Sequence, residues 1–344
     1  MIGKRRLNLS VLMEEMLLEK NPAAMSCNFD IYQAEESVLK ERRKTVNKPG
    51  HNGIIHELST PDGINLGYYN VTSTEPGKVI IKNTNPFVQL TYTISGNKSY
   101  EVNSGKQRLL SFKKQEYNYL FFTKENVHLN WEPGERLEIF ELGVSPELML
   151  NYLPQQHPFY ELLHRSIEKN EPAPMSSSNL FLQTESNSIL YKMINCPLDA
   201  RYKQLYIKSK LGELLSIELD AFEQSLLASR GKAEKPGTLR PIDIERMHQA
   251  RNIIISNLQS PCSLIDLAHQ VGTNDAYLKR HFKAVFGTTV FGYLHIVKMN
   301  EAKELLQAGV SITEVTNLTG YKYVSHFNRA FKKHFGIGPG KISK

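Results

Sequence analysis

One stretch of sequence, which occurs twice in the chain, decides the fold of the C-terminal third. Ser263-Leu264-Ile265-Asp266-Leu267-Ala268 recurs 48 residues later as Ser311-Ile312-Thr313-Glu314-Val315-Thr316, and Gly272 recurs as Gly320. Further along, the offset between the copies is 49. There Leu278, Arg280, Phe282, Lys283, Phe286 and Gly287 correspond to Phe327, Arg329, Phe331, Lys332, Phe335 and Gly336. Matches in register over this length indicate an internal duplication.

Each copy has the pattern of a helix-turn-helix unit. In the first copy Ser263 can cap a short helix, and Gly272 gives the turn its backbone freedom. The helix that follows carries Leu278, Phe282 and Phe286 on one face and basic residues on the other. An aromatic core behind a basic, hydrogen-bonding face suits a helix that enters the major groove of DNA.

A connecting helix is predicted from Val290 to Leu306, between the two copies. A rigid connector would hold the two second helices in a fixed relation. One chain could then contact two successive major-groove segments, about 10 base pairs apart, on one face of the duplex.

Residues 242–344 resemble the DNA-binding domain of the AraC/XylS transcriptional regulators. Besides the repeated stretches, the resemblance rests on Leu278-Lys279-Arg280-His281-Phe282-Lys283, on Gly320-Tyr321, on the run from Phe327 to Gly336, and on Pro339. The base-reading positions that it implies are Asn274, Ala276, Lys279, Arg280, Val324, Ser325, Asn328 and Arg329. Lys283 and Lys332, on the same basic faces, complete the predicted DNA-binding set. Thr316 departs from the family, which usually has alanine there, and is expected to crowd its helix contact.

The charge distribution agrees with a polyanionic partner. From residue 241 to 344 the chain has 13 Lys and Arg against 7 Asp and Glu, so this segment carries +6 of the formal net charge of +7. A basic C-terminal third favours double-stranded DNA as the partner.

The N-terminal half has a different period. From residue 53 to 143 apolar and polar residues alternate, as in Val88, Leu90, Tyr92 and Ile94, and turn signals such as Pro61-Asp62-Gly63 separate the runs. Many short strands predict an antiparallel barrel or sandwich, which looks like the cupin-like effector domain common among these regulators. The fold class expected is therefore α+β multidomain: a cupin-like antiparallel β barrel or sandwich with following helices, then an all-α double helix-turn-helix.

Helical patterns follow the strands at residues 145–153, 159–169, 178–196 and 198–227. In the last segment Leu211, Leu215, Leu219, Phe222 and Leu226 share one face. That stripe can pack on its own domain or on the second subunit of a homodimer, and the pattern does not decide between them.

Four regions are predicted along the chain. Residues 1–50 are expected to be a helical or partly ordered lead-in, because Leu9 to Lys20 is rich in helix formers. Residues 51–228 form the sensing domain with its helical segment, residues 229–240 a linker, and residues 241–344 the DNA-binding domain.

The residue pattern argues against an enzyme. A metal-dependent cupin needs clustered His and Glu ligands, and residues 53–143 contain only His56 and His128, which are not paired in sequence. No cofactor, metal or catalytic residue is therefore expected.

Residues 196–215 resemble a subgroup of AraC/XylS regulators of which some members respond to ferric siderophores. Inward candidates for an effector pocket are Leu90, Tyr92, Tyr119, Phe121 and Trp131.

The sequence thus predicts a sequence-specific DNA-binding regulator, an activator that responds to a small-molecule effector. RNA polymerase is a further candidate partner, a membrane is not, and the expected location is cytoplasmic because no signal-peptide core is seen. Two alternatives stay open: a cupin-type enzyme fused to a DNA-targeting module, and an effector-independent DNA-binding protein.

Overall fold

The computed structural model describes residues 24–29, 39–83, 85–102, 105–134, 136–230, 241–286 and 288–342. The chain divides into two compact units. The first comprises Met1–Leu180 with Leu198–Lys208, and the second comprises Phe181–Pro197 with Ser209–Lys344. The expected lead-in helix between Leu9 and Lys20 lies outside the described residues.

Two β-sheets form the framework of the first unit. Their strands are β1 (Ala24–Phe29), β2 (Lys40–Lys48), β3 (His51–Ser59), β4 (Asn65–Ser73), β5 (Gly77–Asn83), β6 (Phe87–Ser95), β7 (Lys98–Val102), β8 (Gln107–Phe112), β9 (Glu116–Phe122), β10 (Asn126–Trp131), β11 (Leu137–Val144), β12 (Ala173–Pro174) and β13 (Leu180–Phe181). One sheet has the order β1-β5-β10-β7-β8, and the other β12-β9-β6-β11-β4-β3-β2. Except for the parallel pair of β1 with β5, the pairings in these orders are antiparallel, as the alternating pattern predicts.

The prediction of a helical or partly ordered lead-in over residues 1–50 is wrong for residues 24–29 and 40–48, which are strands. β2 pairs with β3 from Lys40 opposite Ser59 to Lys48 opposite His51. The charged run at the start of β2 lacks apolar alternation, so the strand is not visible as a pattern.

On that run Glu41 contacts Lys203 (Oε2 to Nζ, 2.6 Å) and His56 (Oε1 to Nε2, 2.7 Å). Burial opposes ionisation of Glu41, but these hydrogen bonds outweigh it and lower the Glu41 pKa to about 2.

The core of the first unit lies between the two sheets. It is formed by Ile81, Phe87, Tyr100, Val102, Phe112, Leu120, Phe122, Val127, Leu129, Trp131, Leu137 and Ile139. Successive residues of a strand point to opposite faces. Leu90, Tyr92, Tyr119 and Phe121, predicted to face a pocket, therefore lie on the other face of their sheet, where the Tyr119 ring is 5.5 Å from that of Phe159. Trp131 alone of the five candidates belongs to the inter-sheet core.

Four helices follow the sheets, close to the predicted segments: α1 (Pro146–Tyr152), α2 (Pro158–Lys169), α3 (Thr184–Ile194) and α4 (Ala200–Arg230). The α4 side chains of Leu211, Leu215, Leu219 and Phe222 are buried within this chain. Their burial needs no second subunit, so this stripe does not by itself indicate a dimer. The side chain of Leu226 lies outside the described part of the chain.

The second unit is helical. It contains α3, the later part of α4, and α5 (Pro241–Ser256), α6 (Leu264–Gln270), α7 (Asp275–Phe286), α8 (Val290–Gln307), α9 (Ile312–Leu318) and α10 (Val324–Phe335), followed by a 3-10 turn at Pro339–Lys341. The compact units therefore divide the chain elsewhere than the expected domain limits, because α3 and residues 209–230 group with the C-terminal helices. Residues 229 and 230, expected in the linker, are still helical, and residues 231–240 lie outside the described part.

Candidate nucleic-acid interface

The duplication in the sequence is a duplication in the fold. α6 and α7 form the first helix-turn-helix unit, α9 and α10 form the second, and α8 connects them. The first helix of each unit, α6 or α9, is called here the positioning helix, and each begins at a serine cap. Ser263 Oγ accepts a hydrogen bond from Asp266 N at 3.1 Å, and Ser311 Oγ accepts one from Glu314 N at 3.2 Å. These caps satisfy backbone donors that a helix start leaves unpaired.

Both turns contain a glycine in the left-handed region of backbone conformation. The φ angle is +69° at Gly272 and +72° at Gly320. Side chains other than glycine rarely adopt this conformation, so the two matching glycines fix the angle between the helices of each unit.

Aromatic side chains anchor both reading helices, α7 and α10. Phe282 and Phe286 of α7 have ring centroids 4.5 Å apart, and Phe331 and Phe335 of α10 repeat this contact at 4.5 Å. Leu278 and Phe327 occupy the equivalent buried position one turn earlier. Because these side chains hold one face of each helix in the core, the opposite face must point to solvent.

The first copy presents its predicted residues to solvent. Ala276, Lys279, Arg280 and Lys283 are exposed on α7. Asn274 is also exposed, but it stands just before the helix, where its Oδ1 accepts a hydrogen bond from Tyr277 N at 2.8 Å. Asn274 therefore acts as the helix cap, and its amide nitrogen is the group left to contact a ligand.

In the second copy Val324, Ser325, Arg329 and Lys332 are exposed on α10. Asn328 is only half-buried, and its Oδ1 is buried without a hydrogen-bond partner in the described part of the chain.

Asp275 is a feature of the reading face that we did not predict. Its carboxylate accepts a hydrogen bond from Lys279 Nζ at 2.9 Å, and both side chains are about half exposed. The hydrogen bond and the positive charge of Lys279 lower the pKa of Asp275. Lys279 thus has an acidic neighbour that competes with DNA for its ammonium group. The spacing of four residues on a predicted helix could have revealed this pair.

A second unpredicted feature surrounds Arg280. The rings of Tyr277 and His281 stack with centroids 3.6 Å apart, the Arg280 guanidinium carbon lies 5.5 Å from the Tyr277 centroid, and Arg280 Nη2 is 3.2 Å from His281 Nε2. Arg280 is therefore held by two neighbours on its own helix while remaining exposed.

Thr316 occupies its buried position without an unpaired hydroxyl. Its Oγ1 donates to the backbone oxygen of Ile312 at 2.7 Å, one turn earlier in α9. The hydroxyl that distinguishes this residue from the usual alanine is thus satisfied by a backbone carbonyl of its own helix.

The second unit also contains a contact that sequence reasoning missed. α3 packs along α10: Ser188 Oγ donates to Lys333 O at 2.7 Å, Asn187 Nδ2 hydrogen-bonds His334 Nε2, and the Tyr191 and Phe335 rings meet edge-to-face at 4.7 Å. Burial lowers the pKa of His334 well below the ordinary histidine value, which favours the neutral imidazole. An amphipathic pattern shows that a helix face is buried but not which helix covers it.

Metal sites and membrane-spanning helices would indicate other functional classes. In the part of the chain that the structure describes, no group of three or more His, Cys, Asp or Glu side chains is arranged to hold a metal ion. None of the described helices combines the length and the apolar character needed to cross a bilayer.

Comparison with known proteins finds two consecutive family matches, whose boundary does not coincide with that of the compact units. Residues 267–344 match the helix-turn-helix domain model, and residues 50–235, more than half of the chain, match the N-terminal domain model of regulatory protein PchR. The chain belongs to the PchR N-terminal domain family of AraC/XylS regulators.

Individual relatives match about half of the chain or less. Regulatory protein PchR of Pseudomonas aeruginosa is 30% identical over 186 residues, which are 54% of this chain and 57% of that protein. The Msm operon regulatory protein of Streptococcus mutans is 27% identical over 169 residues, or 49% of this chain and 56% of that protein. The matches to these two relatives thus span little more than half of their lengths. An AraC-type regulator structure from Chromobacterium violaceum is 29% identical, covers 29% of this chain and 89% of its own, and has a TM-score of 0.28.

Proposed function

We propose that this AraC/XylS family member is a sequence-specific regulator that binds double-stranded promoter DNA through both helix-turn-helix units. The observation that carries the proposal is the repeated arrangement of an exposed Arg and Lys on each reading helix: Arg280 with Lys283, and Arg329 with Lys332. In each unit a buried aromatic row holds the opposite helix face, so the basic side chains are directed outward.

The ten predicted contact residues divide by chemistry. Arginine can bind guanine with two hydrogen bonds, asparagine can pair with adenine, and Ala276 and Val324 can contact thymine methyl groups. Lys283 and Lys332 suit phosphates, which position the protein on DNA without reading sequence.

The proposal is tested by selecting sites for the full chain from random duplex DNA and measuring binding to the selected duplex by fluorescence anisotropy. Binding should weaken steeply as salt rises, because phosphate contacts release counterions. Arg280→Ala should cost about 1–3 kcal/mol and relax base preference at one position, and Arg329→Ala should weaken binding as well. Glu314→Gln, an exposed change on the positioning helix α9, serves as a control. Failure to select any site, or wild-type binding by both arginine variants, would refute the proposal.

We further propose that the first unit senses a small molecule, as its likeness to cupin-like effector domains implies. Between its sheets lies a buried polar cluster in which Glu141 accepts hydrogen bonds from Gln89 (2.5 Å), Thr91 (3.0 Å) and Tyr100 (2.8 Å) and forms an ion pair with Lys98. Burial lowers the pKa of Lys98, and the nearby Glu141 opposes that shift. A ligand that displaced one partner would leave the other charge uncompensated, so binding would be coupled to rearrangement.

The alternatives are separated by two measurements. A thermal-shift screen with sugars, aromatic compounds and ferric chelates should give a reproducible stabilisation, since a ligand that binds the folded state raises its stability. No shift with any of them would favour the effector-independent alternative. Stoichiometric metal in the purified protein would favour the cupin-type enzyme, and on the present proposal the protein catalyses no reaction.

The proposal has four further parts: activation of transcription, contact with RNA polymerase, a cytoplasmic location and a homodimer. Membership of a family of transcription regulators supports the first two, and the need to reach promoter DNA supports the third. The homodimer is a proposal that the sedimentation experiment below tests. Transcription from a selected promoter with purified polymerase gives the sign of regulation, and sedimentation of the full chain with and without that DNA gives its oligomeric state.

A further inference from the structure

The two matching arginines of the reading helices have different surroundings. Arg280 lies beside the stacked rings of Tyr277 and His281 and contacts His281 Nε2 at 3.2 Å. The guanidinium can only donate, so His281 Nε2 must be the acceptor. Arg280 is thus restrained by an aromatic face and by a hydrogen bond.

The internal duplication supplies the comparison. At the offset of 49, Tyr277 corresponds to His326, Arg280 to Arg329 and His281 to Ala330. Alanine offers neither a ring nor a side-chain acceptor. The exposed His326 ring packs on Tyr323 instead, with centroids 5.4 Å apart. No side-chain hydrogen bond, ion pair or ring contact of Arg329 occurs within the described residues of the chain.

This difference matters because arginine reads guanine by a planar, two-point contact. An arginine whose guanidinium is already restrained loses less side-chain freedom when it binds, and its plane is fixed before DNA arrives. An unrestrained arginine loses that freedom on binding and can reach any nearby phosphate equally well.

We propose that Tyr277 and His281 are positioning residues that make Arg280 the discriminating arginine of the protein, whereas Arg329 contributes mainly affinity that is independent of sequence. The inference rests on the proposed DNA-binding function and deepens it. It assigns base discrimination to the first helix-turn-helix unit and anchoring to the second.

The test compares matched variants of the full chain on the duplex selected by the wild type and on a scrambled duplex. Tyr277→Leu removes the aromatic face, Tyr277→Phe retains it, and His326→Leu makes the equivalent change in the second copy. We expect Tyr277→Leu to weaken binding to the selected duplex by roughly fivefold or more with little change on the scrambled duplex. Tyr277→Phe should restore binding, and His326→Leu should leave the ratio between the two duplexes unchanged.

A double-mutant cycle links the effect to Arg280. If Tyr277 acts through Arg280, then Tyr277→Leu should have almost no further effect in an Arg280→Ala background. Both changes should also relax base preference at the same position of the selected site. His281→Leu should behave like Tyr277→Leu in the cycle.

Three results would overturn the inference while the DNA-binding function stands. They are additive effects of Tyr277→Leu and Arg280→Ala, equal loss on both duplexes, or a larger loss of base preference from Arg329→Ala than from Arg280→Ala. A thermal melt of each variant shows whether the fold is retained, and failure of Tyr277→Phe to rescue a folded Tyr277→Leu loss also counts against the inference. If the wild type selects no site at all, it is the proposed function that fails.

Discussion

Gly272 and Gly320 occupy the same position in the two helix-turn-helix units, but a side chain would meet different surroundings at each. A Cβ at Gly272 would come no closer than 4.0 Å to its neighbours, which are side-chain nitrogens of Arg246. A Cβ at Gly320 would stand 2.6 Å from the backbone oxygen of Gln259. Both positions require the left-handed conformation, and only the second also excludes a side chain by contact.

Replacement by alanine should separate the two effects. Gly272→Ala is expected to destabilise the first copy by about 1 kcal/mol, the cost of left-handed backbone for a residue with a Cβ. Gly320→Ala should cost roughly 2–4 kcal/mol, because a clash with backbone adds to that strain. Hydrogen exchange of α7 and α10 peptides in increasing urea measures each copy separately. An equal cost at both positions, or a larger one at Gly272, would contradict the account.

For individual contact residues, the sequence predicted solvent exposure but not the side chains that each one contacts. The repeated pattern correctly placed Arg280 and Lys332 on exposed helix faces opposite buried aromatic residues. The stack beside Arg280 is not evident from the sequence, although Tyr277 and His281 are four residues apart on a helix, because apolar periodicity marks core positions only. Spacing shows which side chains can meet, whereas their rotamers decide whether they do.

The helix α3 shows the same limit at the scale of elements. Its existence was predictable from the pattern of residues 178–196, but it was assigned to the sensing domain. In the structure its side chains contact α10 of the second unit. Asn187 is fully buried and pairs with the equally buried His334, so each satisfies a polar group that would otherwise be unpaired.

The contact predicts that α3 stabilises α10 selectively. Asn187→Leu leaves His334 Nε2 without its partner and should destabilise the α10 region by about 1–3 kcal/mol. Native-state hydrogen exchange should show faster exchange in α10 peptides and little change in α7. Glu185→Gln, an exposed change in the first turn of α3, is the control. Equal acceleration in α7 and α10 would show that α3 supports the whole unit and not α10 in particular.

For the strands, the alternation of period two predicted where strands occur better than it predicted which sheet face each side chain occupies. β6 is buried along its whole length, from Phe87 to Ser95. When both faces of a strand are covered, apolar alternation no longer tells which face meets the opposite sheet. This is why Leu90 and Tyr92 were expected on the wrong face of their sheet. The strand β2 was not recognised for a different reason, because its charged residues show no apolar alternation.

At the scale of the whole molecule, the sequence predicted the order of functions along the chain better than its physical division. The duplication, the +6 charge of residues 241–344 and the alternation of the N-terminal half indicated a regulator with two parts, in agreement with the family. The division into compact units depends on contacts between residues far apart in sequence. Helices α3 and α4 therefore could not be assigned from composition or linkers.

The central claim is that two helix-turn-helix units of one chain contact DNA on one face of the duplex. Hydroxyl-radical footprinting of the full chain on a selected duplex tests it directly. The account predicts protected stretches about 10 base pairs apart on one face, one weakened by Arg280→Ala and the neighbouring one by Arg329→Ala. A single protected stretch, weakened equally by both changes, would contradict it.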